Sequence, residues 1–159
     1  GRLGEEGRVT EPKLTIELVP RTAWGSNLRG KLPVGWPRIS AAVREAAGGR
    51  CEICGRRSAK LEAHEVWDYG ERGIQRLAGI LALCRKCHEV KHFGLACVRE
   101  RAAEASAHLA AVNGWSAREA EDYVDEAFAV WRERSEIEWE LDLSWAAENF
   151  PADWMGSAP

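Results

Sequence analysis

The chain has 159 residues, of which 45% are apolar and 30% charged, and its formal net charge is −3. That is enough apolar material to bury the core of one domain, and it rules out a disordered tail or a fibre. The longest apolar run, Leu77 to Leu83, is far shorter than the roughly 20 residues a bilayer-spanning helix needs, so no membrane segment is expected.

Residues 1–12 are rich in glycine and charge without periodicity and read as a disordered lead. They lack the apolar run of a secretory signal, and a cytoplasmic location is expected. In residues 13–43, Leu14, Ile16 and Leu18 alternate with Thr15 and Glu17, the period of a half-buried strand that Pro20 ends. An irregular connection follows, pinned by Trp24 and Trp36. A helix is expected from about Ser40 to Ala47, stopped by Gly48-Gly49. Residues 44–95 hold the chemistry. In residues 96–159, after a break at Gly94, an Ala-rich helix from Leu95 to Val112 is expected, capped by Asn113-Gly114. Ser116 and Glu119 form a capping box for a further helix with Tyr123, Val124, Ala127, Phe128 and Trp131 on one face. Last, Ile137, Trp139, Leu141 and Leu143 alternate with acidic residues, a terminal strand expected to pair with the N-terminal one.

The net charge hides an asymmetry. Residues 44–101 carry 12 basic and 8 acidic side chains, whereas residues 102–159 carry 3 and 13. A basic middle suits a phosphate-bearing partner, and the acidic last third solvates, shields or meets a different one.

Four of the five cysteines form two C-x2-C pairs, Cys51/Cys54 and Cys84/Cys87, with 29 residues between them. Two such turns supply the tetrahedral sulfur set that zinc prefers, and a four-thiolate shell leaves no open position for chemistry. This zinc is therefore expected to be structural. Cys97 reads as a small buried side chain rather than a ligand.

His88 and His92 stand four residues apart on the helix expected after Cys84, so both rings share one face and can grip a second ion or a phosphate. His64 and Glu65 lie on an alternating strand, Lys60 to Trp67, and a second strand from about Arg76 to Leu83 leads back to the second cysteine pair. The unit reads as knuckle, strand, connection, strand, knuckle and helix. It brings the strand bearing His64 across the helix bearing His88 and His92.

Three stretches carry a resemblance: Cys51-x2-Cys54-Gly55, then Leu61-Glu62-Ala63-His64-Glu65-Val66, then Leu83-Cys84-x2-Cys87-His88-x3-His92. Together they resemble the zinc-containing HNH endonuclease module, the His-Me finger or ββα-metal fold, over roughly residues 44–95. The resemblance implies an α+β fold with a zinc-stapled ββα-metal core, extended here by C-terminal helices and peripheral strands. It implies hydrolysis of DNA phosphodiester bonds by a catalytic divalent cation (Mg, Mn, Co or Ni) held by His64 with His88 or His92. In that family a metal ligand precedes the histidine that activates water. Aligning His64 with the ligand puts Glu65 at the base position; shifting by one makes His64 the base and leaves Ala63, which binds no metal, as ligand. The first register keeps a donor atom at both places and is preferred. The Asn of the family name falls at Gly79, with Gln75 and Arg76 nearby.

DNA contacts are expected from Arg85, Lys86 and Lys91 on or before the helix and from Arg72 and Arg76 in the preceding connection. Trp67 and Tyr69 either pack in the core or stack on a base. The competing class is a catalytically inactive zinc-stapled module that binds nucleic acid or protein. A homodimer is compatible with either reading.

Overall fold

The computed structural model describes residues 11–156, so most of the expected lead at residues 1–12 lies outside the described residues. The architecture is mixed α+β: a three-stranded sheet with helices on both of its faces. Helices are α1 (Leu28–Lys31), α2 (Trp36–Ala46), α3 (Arg85–Lys91), α4 (Phe93–Val98), α5 (Ala102–Asn113), α6 (Ala117–Arg134) and α7 (Ser144–Asn149). Strands are β1 (Glu62–Tyr69), β2 (Ile74–Leu83) and β3 (Glu140–Asp142). No helix among the described residues is long and apolar enough to cross a membrane.

The antiparallel hairpin β1–β2 is the frame on which the site is built. Its register pairs Glu62 with Leu83 and His64 with Leu81, and slips by a bulge between Val66 and Trp67. Because the bulge leaves Ala78 unpaired, Leu77 and Ile80 of β2 fall on one face and are buried against α1, α2 and α7, where Leu28, Trp36, Ile39 and Ala146 complete one core. Near its end β2 buries Ala82 and Leu83 in a second core with Val90, Phe93, Leu109 and Ala120. Gly35 makes the first core close-packed, because a Cβ there would lie 1.7 Å from the Trp154 carbonyl oxygen.

The terminal strand exists but does not meet the N-terminal segment. β3 pairs in parallel with the free edge of β2, Ile74 opposite Glu140 and Arg76 opposite Asp142. Residues 14–19 run extended without joining the sheet, because their backbone groups are satisfied elsewhere. Leu14 exchanges two bonds with the Asn113 side chain (2.9 and 2.8 Å), the Ile16 N–H donates to the Tyr123 hydroxyl (3.2 Å), and the Glu17 N–H donates to the Lys91 carbonyl (3.1 Å). Leu14 and Ile16 enter the core as their alternation predicts.

The Ala-rich stretch is two helices, and the break falls at residues 99–101 rather than at Gly94, which sits inside α4. The Arg101 N–H bonds the Ala96 carbonyl (2.7 Å) and the Glu100 N–H bonds that of Cys97 (3.1 Å), with Glu100 at φ 59°. That is a Schellman ending with glutamate in the left-handed position where glycine is usual. Asn113 and Gly114 (φ 68°) close α5, and the Ser116/Glu119 capping box opens α6 with both reciprocal bonds formed. Helix α2 starts four residues before the expected Ser40, with Pro37 in its first turn, where its missing N–H costs nothing.

Candidate metal centres

Two clusters of metal-ligating side chains gather around the hairpin and α3, the first completed by the turn at residues 51–55 that precedes β1. In the first, the ligand sulfurs of Cys51, Cys54, Cys84 and Cys87 all lie within 4.8 Å of one another. Four sulfurs at about 2.3 Å from one tetrahedral zinc are about 3.8 Å apart, and Cys54 and Cys84 are separated by 3.8 Å. The set fits zinc. The first knuckle turns through Gly55 (φ 76°) and is fastened to β2 by two bonds of Glu52 with Ala82, at 3.0 and 2.7 Å. Cys84 is the N-cap of α3 and accepts from the Cys87 N–H.

The thiols respond to this crowding. Burial raises the Cys87 and Cys84 pKa values, and the neighbouring sulfurs push both higher. Burial acts the same way on Cys51, yet backbone N–H groups of Cys54, Cys84 and Ile53 outweigh it and bring that thiol down to about 7. Mutual repulsion of this kind is what a divalent cation relieves by holding the thiolates deprotonated.

In the second cluster, His64 on β1 faces His88 on α3 and His92 at its C-terminal cap, with ring centroids 5.3, 5.1 and 4.7 Å apart. The i, i+4 spacing aligns His88 and His92, and the hairpin lays His64 across them. Their Nε2 atoms are 3.1 Å apart, within the about 3.0–3.4 Å that two nitrogens on one cation span at about 2.1 Å each. Two of the three rings are backed by carboxylates. Glu62 Oε1 lies 2.6 Å from His88 Nδ1, and Glu17 Oε1 lies 2.9 Å from His64 Nε2. Carboxylates in this position fix the tautomer and aim the other ring nitrogen, a recurrent device at metal sites. Burial, together with the charges of His64 and His88, brings His92 down to about 4, and burial lowers His88 against the opposing pull of Glu62. Both rings are thus neutral at pH 7, the form that binds metal.

A cavity of about 400 Å3 opens onto this triad, and Glu65, Arg29, Trp67 and Tyr69 also line it. Burial raises the Glu65 carboxyl above the ordinary range, although the Leu28 N–H (2.9 Å) and the charge of Arg29 oppose that shift.

The expected cations divide. Arg85 and Lys86 are exposed at the start of α3, and Arg85 borders a hollow shared with His88 and His92. Arg72 is exposed in the β1–β2 turn, and Arg76 pairs with Asp142 at 3.2 Å. Lys91 is a correction: it is only 3% exposed, and its ammonium donates to Thr15 Oγ1 (2.6 Å) and Glu17 Oε2 (2.7 Å). The docked N-terminal segment covers it, so it is a structural cation rather than a phosphate contact. Cys97 is likewise exposed rather than buried, and stands outside the cysteine cluster. Gln75 is buried on β2 and donates to the Ser26 carbonyl at 3.2 Å.

The structure adds residues the sequence reading did not select: Glu17, Arg29, Glu62 and His108. Only Glu62 carried a local signal, since it lies two residues before His64 on one strand face. His108 comes from α5, and its Nε2 lies 3.3 Å from Cys87 Sγ. No family model, no curated protein and no solved structure matches the chain.

Proposed function

We propose that the protein is a metal-dependent HNH-type endonuclease that hydrolyses DNA phosphodiester bonds, with the four-cysteine zinc as a separate structural staple. The observation that carries this is the convergence of three imidazoles, two of them backed by carboxylates, in a cavity that also holds a raised-pKa carboxyl and an arginine. A module that only binds has no chemical use for such a set.

His64, His88 and His92 hold a divalent cation, which supplies charge stabilisation at the scissile phosphate and leaving oxygen. Glu65 stands at the wall as the proton acceptor for water, and its desolvated carboxyl is a stronger base than an exposed one. Arg29, on the same wall as Glu65, meets the phosphate there, while Arg85 and Lys86 track the strand beyond. Glu62 and Glu17 hold the imidazoles in register.

The test is nicking of supercoiled plasmid by zinc-loaded protein with Mg, Mn, Co or Ni added singly, beside His64→Ala. Metal-dependent nicking that disappears in His64→Ala, with zinc content and fold retained, is the expected result. Salt-sensitive DNA binding without nicking under any of these metals assigns the chain instead to the inactive binding modules.

A further inference from the structure

The cavity over the histidines does not end at Glu17. A second, half-enclosed hollow of about 280 Å3 lies beyond it, and Glu17, Trp67 and Tyr69 form a wall common to both. Its far side is made by Tyr123, Trp131 and Arg134 of α6. Nothing in the metal chemistry uses this space.

Tyr69 supplies the reason to expect an occupant. Its ring is clamped, T-shaped against Trp139 with the ring centroids 5.0 Å apart, and with the Arg134 guanidinium 5.2 Å from its centroid. Its hydroxyl, however, is buried and has no hydrogen-bond partner among the described residues. A buried hydroxyl left unpaired costs about 1–3 kcal/mol, and native structures leave few such groups without a purpose. The lining around it is aromatic, with a guanidinium and carboxylates at the margins. Such a lining suits a flat ligand with π faces and a polar edge.

We infer that this hollow binds one unpaired nucleobase of the strand whose phosphate lies over the histidines. The inference rests on the nuclease reading for the position of that phosphate. Because the two cavities share a wall, a single nucleotide can place its phosphate in one and its base in the other. A base stacked and paired in a duplex cannot reach the second, so the strand must be single, bulged or locally opened there. The Tyr69 hydroxyl then meets the polar edge of the base while the aromatic walls take its faces.

The experiment compares the affinity of the full zinc-loaded protein, with no other divalent ion added, for a labelled duplex and for the same duplex carrying one unpaired base. Stacking on aromatic side chains sets the expected preference for the bulged DNA at about tenfold. Tyr69→Phe, which deletes one oxygen, should cut that ratio by about threefold. Ala127→Leu, which projects into the hollow from α6, should bring the ratio to one, with circular dichroism and zinc content reporting its fold. If Ala127→Leu does not fold, Tyr69→Phe decides alone. Equal affinity for the two DNAs in the wild type overturns the inference, as does a ratio that neither variant diminishes. Nicking without the preference removes the base pocket and leaves the nuclease standing. The preference without nicking supports the pocket and removes the nuclease.

Discussion

Glu17 Oε1 lies 2.9 Å from His64 Nε2, although 47 residues separate them in the chain. The other oxygen of the same carboxylate accepts from the buried ammonium of Lys91 at 2.7 Å. One side chain of the N-terminal segment therefore orients a candidate metal ligand and neutralises a buried cation. Its own pKa reflects this, since burial would raise it, yet the bond to His64 and the charge of Lys91 carry it below the ordinary value.

Removing that carboxylate should separate the two roles. Glu17→Ala leaves Lys91 buried without its counter-ion and is expected to destabilise the fold by about 3–5 kcal/mol. Glu17→Gln combined with Lys91→Met removes both charges and should recover most of the melting temperature. It should not recover the divalent-ion affinity of the histidine site, expected to fall about 10–100-fold once His64 loses its orienting carboxylate. Thermal melts and calorimetric titration with Mn or Ni read the two effects. Wild-type metal affinity in the double variant would remove Glu17 from the site.

Acid should weaken the fold in two windows. His92, held at about 4 against an ordinary 6.5, binds fewer protons folded than unfolded, so stability falls as pH drops from about 6.5 toward 4. Glu17, held below its ordinary 4.5, adds a second loss beneath that value. His92→Gln should make the upper window shallower, reducing the acid-induced loss by up to about 2 kcal/mol once solvent screening of the ring is allowed for, and the remainder belongs to His88, which burial also lowers. Denaturant melts at pH 7, 5.5 and 4.5, without ions at the histidine site, measure it; parallel curves for wild type and variant would contradict the assignment.

The fold and site differ in how much of them the sequence displays. The cysteine pairs and the His88/His92 pair are local, set by turn and helix periodicity, and so are visible as spacing. Glu62 was visible by the same logic, two residues from His64 on one strand face. Glu17 was not, because an acidic residue between Ile16 and Leu18 in an alternating run reads as part of a solvent face until the segment docks over α3. The burial of Lys91 follows from that docking, as does the failure of the two terminal segments to pair. The break after α4 was hidden for another reason: glutamate rather than glycine occupies the left-handed position.

The zinc staple should depend on a residue far from either knuckle. Cys84→Ala is expected to abolish stable folding, because the free energy of structural zinc is folding free energy. His108→Ala should leave the four sulfurs in place but remove the donor 3.3 Å from Cys87 Sγ. Thiolate charge then goes uncompensated, and zinc affinity is expected to fall about 10–100-fold. Competition with a chromophoric chelator reads this without reference to activity. His108→Gln, which retains a donor, should recover part of the affinity, and equal zinc retention in all three proteins would show the contact to be incidental.

Glu65 offers the sharpest test of how proton transfer is assigned. Its carboxyl is raised mainly by burial, so it is protonated over a wider acidic range than an exposed glutamate and becomes a competent acceptor only as pH climbs past its elevated value. The nicking rate should therefore rise with pH through a step above the ordinary glutamate range. Glu65→Gln is the informative change, since the amide oxygen still accepts from the Leu28 N–H and spares the fold an orphaned donor. Loss of the base should lower the rate about 10²–10⁴-fold and abolish the step. Glu65→His places an imidazole at the same wall and should restore activity with the step moved toward about 6.5. If Glu65→Gln keeps the wild-type rate and pH profile, the proton goes elsewhere. His64, aimed by Glu17, then becomes the base, and His88 and His92 are left to hold the cation.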